Sequence, residues 1–231
     1  MNCSFVFRVL WAFFLLVFSG FVHAALNDTG ITTCSDATHN NLPCPVAGFP
    51  GQDAEFGTNG FDFTKLDASG NALPVSTTNH VCVRDNVTGL IWEVKTDDSG
   101  LRDKDWTYTW YDSNPATNGG AAGTASGGKC YATGRCDTEK YVQDVNTAGL
   151  CGFHDWRMPT PNELLSIVDN SRYNPSIAIG YFPNTLSSSF WSSSPGADGS
   201  YNAWGVNFSY GDVYDGSRSS ALAVRLVRGG Q

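Results

Sequence analysis

The sequence predicts an α+β domain, with strands first, two helices in the middle and strands again towards the C-terminus. Three observations carry this. VCVRDNVTGLIWEVK, from Val81, holds two apolar runs around Asn86-Val87-Thr88-Gly89, a strand, turn and strand. Two segments between 137 and 168 repeat apolar residues at helical spacing behind capping residues. FWSSSP, AWGVNFSYGDVYDGSR and LAVRLVR then read as short strands joined by tight turns.

The first helix starts from Asp137 as N-cap. Tyr141, Val142, Val145 and Ala148 form its apolar face, and Gly149 stands where a C′ glycine ends a helix. The second starts at Thr160-Pro161-Asn162-Glu163. Thr160 is the N-cap, Pro161 fits N1 and Glu163 completes a capping box, while Leu164, Leu165, Ile167 and Val168 supply a buried face. In the last third, Trp204, Val206 and Phe208 alternate with Gly205, Asn207 and Ser209, so one face is apolar and the other small and polar. On that pattern Trp204 belongs to the core, as do Trp92, Trp156 and Trp191. Gly211-Asp212 and Asp215-Gly216 are turn dipeptides.

Residues 1–24 read as a secretory signal peptide. Arg8 precedes an apolar run from Val9 to Val22, and Val22-His23-Ala24 presents small residues for a cut before Ala25. The run is shorter than the roughly 20 residues of a spanning helix. No later segment is apolar enough to span a bilayer, so the mature chain is expected to be exported, to the periplasm, the outer surface or the medium. Residues 25–79 are rich in Gly, Pro, Asn and Asp and read as a loop-rich extension with a short strand near Phe61–Leu66. Residues 80–231 form the domain proper. Within it, 96–130 is a long polar stretch of the kind that is functional or pinned by disulfides.

Export gives the cysteines a meaning. Six remain after cleavage: Cys34, Cys44, Cys82, Cys130, Cys136 and Cys151. An even number in an exported chain predicts disulfides, with 15 possible connectivities. Cys34 with Cys44 and Cys130 with Cys136 close the shortest loops, which leaves Cys82 with Cys151. A zinc site is the competing use, but no Cys-x-x-Cys pair occurs and only His39, His80 and His154 remain as histidines.

The chain carries a formal charge of −8, and its basic residues are scattered. Nucleic acid and anionic membrane surfaces are bound through Lys/Arg clusters, so neither is an expected partner. Gly123 to Lys129 matches the first seven positions of a phosphate-binding loop. Cys130 stands where the magnesium-binding Ser or Thr is required, and no hydrophobic strand precedes it. His154 and Asp155 are sequence neighbours without a G-x-S-x-G elbow, so His154 reads as a hydrogen-bonding residue of the turn before the second helix. Asp97, Asp98, Asp103 and Asp105 are plentiful carboxylates, but they lack the regular ligand spacing of a calcium loop. No cofactor, metal or catalytic residue is expected.

What remains is a surface. Asn202, Asn207, Ser209, Tyr210, Asp212, Tyr214, Asp215 and Arg218 are the densest hydrogen-bonding and stacking set in the chain. Tyr, Ser, Gly and Asn on turns are what binding paratopes use.

TGLIWEVKT (88–96), GLCGFHDWRMPTPNELLSIVD (149–169), FPNT (182–185), FWSSSP (190–195) and AWGVNFSYGDVY with AVRLVR (203–228) together resemble the Lcl C-terminal domain family. That family is named for the end of bacterial collagen-like adhesins, and the resemblance covers roughly 80–230. It implies a C-type-lectin-like fold, two helices framing a loop-rich antiparallel sheet, related to the formylglycine-generating enzyme and to variable proteins diversified by retroelements. Departures narrow the function. No cysteine follows Cys151, so the sulfatase-modifying chemistry of that fold is not carried over. The calcium-lectin tripeptides are missing, and there are no Gly-X-Y repeats like those of adhesins that bind sulfated glycosaminoglycans. The expectation is an exported, non-enzymatic binding module that meets a glycan or a surface protein through residues 198–220. The alternatives are a structural envelope protein without a ligand and a retroelement-diversified variable binding protein.

Overall fold

The structure, a computed structural model, describes residues 29–56, 60–197 and 199–229. The signal segment lies outside the described residues. Among the described residues, nine strands form three antiparallel sheets, accompanied by two helices and short 3-10 turns.

The first sheet has the order β1-β2-β3-β9, from Phe63–Leu66, Cys82–Asp85, Leu90–Glu93 and Val227–Gly229. The strand–turn–strand expected around Asn86–Gly89 is β2 and β3, paired from Cys82↔Glu93 to Arg84↔Ile91. Asp85 shapes the turn by accepting the Val87 amide and the Thr88 hydroxyl. Strand β1 comes from the loop-rich extension and pairs along its whole length with β2. The extension therefore supplies an edge strand to the sheet, and its Phe63 enters the core.

Helix α1, Thr138–Ala148, is bounded as its sequence indicates. The Asp137 carboxylate accepts the Lys140 amide, and Gly149 closes the helix with φ +68°, a conformation that costs glycine little. Helix α2, Pro161–Leu165, has the full capping box: the Thr160 hydroxyl accepts the Glu163 amide and the Glu163 carboxylate accepts the Thr160 amide. It is shorter than its apolar pattern implies. Ser166 turns its hydroxyl back onto the Glu163 carbonyl, and Ile167 and Val168 bond three residues back, so the chain tightens out of the α-helix. Both side chains are still buried.

The long polar stretch is pinned mainly by hydrogen bonds. Its strand β4, Tyr108–Thr109, pairs with β8, Ala221–Leu222. The Trp110 indole donates to the Ser192 carbonyl at 2.9 Å, and the Trp191 indole donates to the Tyr108 carbonyl at 2.9 Å. These crossed bonds lace the stretch to β5, Ser189–Pro195. Strand β5 opens the third sheet, ordered β5-β6-β7, with β6 at Asn202–Asn207 and β7 at Asp212–Ser217.

Two apolar clusters fill the interior. One holds Val83, Trp92, Leu164, Ile167, Phe190, Val206 and Phe208; the other holds Ile91, Tyr108, Tyr141, Val145, Trp156, Trp191 and Leu226. Strand β3 feeds both, since all four of its residues are buried. Its Glu93 is buried too. The Glu93 carboxylate accepts bonds from Lys95 Nζ, the Tyr141 hydroxyl and the Leu226 amide. Burial pulls the Lys95 ammonium below its ordinary pKa and pushes the Tyr141 phenol well above its own. Burial likewise lowers the Arg225 guanidinium to about 10, against the field of Glu93.

The disulfides are Cys34–Cys44, Cys82–Cys151 and Cys130–Cys136, the pairing with the shortest loops. Among the described residues no helix is long and apolar enough to cross a membrane.

Candidate ligand-binding surface

Residues paired directly across an antiparallel ladder share a face. In the β6–β7 hairpin, Asn202↔Ser217, Trp204↔Asp215 and Val206↔Val213 lie on one face, and Ala203↔Gly216, Gly205↔Tyr214 and Asn207↔Asp212 on the other. Neither face is free along its whole length. Helix α2 and the residues after it cover Val206 on the first, and Trp191 packs with Ala203 on the second. Binary alternation suggests one apolar and one polar face; in the structure β6 is partly covered on both faces, while most of β7, at the sheet edge, stays exposed.

Two of the tryptophan and turn assignments change as a result. Trp204 is half-buried, in a groove that it lines together with Thr160, Pro161 and Asn162 at the start of α2, with Ser194 and Pro195 of β5, and with Val213. Asp215-Gly216 is no turn but the middle of β7. The Tyr214 side chain folds across Gly216 and fills the space that a Cβ there would take.

The expected ligand residues fall into separate groups. Asn207, Ser209, Tyr210 and Asp212 gather at the tip of the hairpin. Asn207 Oδ1 accepts the Ser209 amide and the Asn207 carbonyl accepts the Gly211 amide. Gly211 has φ +81° and sits against Val168. Asn202 and Asp215 meet at the other end of the hairpin, where the Asn202 amide donates to the Asp215 carboxylate at 3.0 Å. Tyr214 points to the opposite face from Asp215.

Arg218 leaves the surface altogether, at 2% exposure. Its Nε donates to the Asn202 carbonyl, and its Nη1 donates to the carbonyls of Asn118 and Ala121. The guanidinium lies 4.3 Å from the centre of the Trp110 ring. It ties the 118–124 loop to the hairpin and is not available to a ligand at the tip.

The tip gains residues the sequence reading left out. The segment 170–176 is knitted to it, with the Asn174 amide donating to the Ser209 carbonyl at 3.0 Å and the Ser176 amide to the Phe208 carbonyl at 2.7 Å. Tyr173 and Tyr210 project from these two joined segments, 76% and 71% exposed. Asn170, Ser171, Tyr173 and Asn174 repeat the Asn/Ser/Tyr composition of the hairpin, which was the available signal.

Residues 81–228, well over half of the chain's length, match the Lcl C-terminal domain. The chain belongs to that family. No curated protein and no solved structure shows a significant match to the chain. The Lcl C-terminal domain residues Glu93, Lys95, Trp156 and Arg225, all within the motifs that carry the match, are buried and hold the core together. These four mark the interior, whereas the tip is mixed: segment 170–176 lies between the quoted motifs, and Asn207, Ser209, Tyr210 and Asp212 lie within AWGVNFSYGDVY.

The remaining polar clusters are internally satisfied. In the acidic loop, the carboxylates of Asp97, Asp103 and Asp105 lie within 4.8 Å of one another. Lys104 Nζ stands between them, 3.2 Å from Asp97 and 2.8 Å from Asp105. Asp103 is buried, which disfavours its charge, but the amides of Asp105, Ser99 and Asp98 outweigh this and hold its pKa below the ordinary value. In the glycine-rich loop, the amides of Thr124, Ser126, Gly127, Gly128 and Lys129 all donate to protein oxygens, so the loop has no open cradle for phosphate. His154 Nδ1 bonds the Asn146 carbonyl at the end of α1, and Asp155 pairs with Arg228 at 2.6 Å.

Proposed function

We propose that the protein is an exported, non-enzymatic binding module with a C-type-lectin-like fold, and that it meets a glycan or a surface protein at the composite tip. The observation that carries this is the pair Tyr173 and Tyr210, exposed on two segments that backbone hydrogen bonds lock together. Tyrosines give large contact area for little conformational entropy, and a fixed backbone lowers the ordering cost further. Asn207, Ser209 and Asp212 surround them with polar groups. The signal-peptide pattern and the three disulfides support export. The polar clusters described above are engaged in internal bonds, which supports a binding role over a catalytic one.

The test is a combined glycan and surface-protein array probed with the mature, oxidised chain. Tyr173→Ala with Tyr210→Ala is expected to weaken the ligand found by about tenfold or more, the loss typical of removing anchor residues. Unaltered binding by the double variant removes the tip as the site. Silence of the wild type on both arrays removes the binding function.

A further inference from the structure

The groove over Trp204 is a second feature of the same hairpin, at the opposite end of α2 from the tip. Trp92, Trp110, Trp156 and Trp191 are buried, whereas Trp204 and Trp106 are half-buried, and of these two Trp204 lines the groove. Its floor and walls are apolar where Trp204, Val213, Pro161 and Pro195 meet, and polar at Asn162 and Ser194. The groove measures about 570 Å³. Sites for small molecules occupy about 300–1,000 Å³.

The charged neighbour decides the occupant. Asp215 is the direct cross-strand partner of Trp204, on the same face, and is exposed. One of its oxygens accepts the Asn202 amide at 3.0 Å, and the other has no protein partner among the described residues. The residues that line the groove carry no charge, and Asp215 stands beside it as the cross-strand neighbour of Trp204. The nearby Arg157 is committed to Glu163 through two bonds, of 2.6 and 2.8 Å, and Arg218 is committed to carbonyls.

We propose that this groove is a saccharide subsite that takes a neutral pyranoside, stacked on Trp204 with hydroxyls donated to Asp215. The inference rests on the binding-module reading above and adds a ligand class to it. A pyranose ring has an apolar C–H face and a hydroxylated edge, which match an indole floor beside a carboxylate–amide pair. A purely apolar side chain in the groove would offer no donor to the open oxygen of the neighbouring Asp215 or to the polar groups of Asn162 and Ser194. A sulfated or uronic sugar would bring a second negative charge towards Asp215 with no cation to offset it. Neutral sugar is the chemistry that satisfies both the ring and the carboxylate.

The experiment uses the mature, oxidised chain and a panel of neutral gluco-, manno- and galacto-oligosaccharides, with heparin as the anionic comparison. Binding is read by saturation-transfer NMR and calorimetry. At least one neutral oligosaccharide is expected to bind with little change when salt is raised to about 0.5 M, because no ion pair forms. Trp204→Ala is expected to weaken it by about tenfold, and Trp204→Phe to recover most of the loss. Asp215→Ala, at an exposed position, is expected to weaken it several-fold with an unchanged thermal midpoint, and it decides the matter if Trp204→Ala does not fold. Preference for heparin, indifference to both substitutions, or no neutral ligand in the panel overturns the proposal. A sugar lost on substituting Tyr173 and Tyr210 but kept by the Trp204 and Asp215 variants overturns the groove and leaves the tip reading standing.

Discussion

Arg218 and Arg225 are both buried, neither forms an ion pair with a carboxylate among the described residues, and each is balanced differently. Arg218 spends its donors on three backbone carbonyls and lies on Trp110. Lysine offers neither the planar fork nor the stacking surface. Arg218→Lys is therefore expected to free the 118–124 loop, seen as faster amide hydrogen exchange there with the tip unchanged; equal protection would show the carbonyl bonds to be dispensable. Arg225 is balanced through space by Glu93, which also receives Lys95, Tyr141 and the Leu226 amide. Glu93→Gln leaves two buried cations without their anion. A loss of about 3–5 kcal/mol in urea denaturation is expected, against less than about 0.5 kcal/mol for the exposed Asp212→Asn. Sequence alone placed Arg218 on the surface because it follows a run of turn-forming polar residues. Nothing in one dimension says that a loop a hundred residues earlier will fold over it. Trp204 failed the same way in reverse: alternation gives a shared face, while tertiary packing decides which part of that face is covered.

At the scale of elements, caps were the most legible features, because their chemistry is local. Asp137, Gly149, Thr160 and Glu163 all sit where their short-range bonds require. Lengths were less so: α2 stops at Leu165 because the Ser166 hydroxyl competes for a helical carbonyl. Strand β1, Phe63–Leu66, falls within the short strand expected near Phe61–Leu66; its pairing with β2, and the entry of Phe63 and Leu66 into the core, are tertiary features that a polar lead-in does not display. The start of α2 gives a pH prediction. Burial disfavours the charge of Glu163, but Arg157 and the Thr160 amide outweigh it and hold the carboxyl below its ordinary value. A carboxylate depressed in the folded state adds stability that is complete above its unfolded pKa, about 4.3, and is lost as pH falls through the folded value. Thermal stability is thus expected to fall on acidification below about pH 4.5, and to fall less steeply in Glu163→Gln. Identical slopes would place the acid sensitivity elsewhere. Thr160→Ala, which removes the other half of the box, is expected to cost about 1 kcal/mol at neutral pH.

For the whole molecule, the order of strands and helices was legible, but its division into three small sheets was not. Two of the sheets are completed by a segment distant in sequence, β9 joining β3 and β8 joining β4, while β5, β6 and β7 pair in chain order. Such closures need cross-links that do not depend on local pattern, and the three disulfides differ sharply in what they close. Cys82–Cys151 spans 69 residues and ties β2 to the turn after α1, so it joins the first sheet to the helical middle. Cys130–Cys136 spans 6 residues and closes a loop that hydrogen bonds to Thr107 and Thr109 already hold. If the bonds act by restricting the unfolded chain, removing the first costs about 4 kcal/mol and the second about 2 kcal/mol. Paired Cys→Ala variants, unfolded in urea under oxidising conditions, measure both. The long-range variant is expected to lose clearly more stability and to expose the α1 region to hydrogen exchange, since that region then depends on packing alone. Equal losses from the two variants would mean that native-state contacts around the sulfurs, and not the length of chain they close, set what each bond contributes.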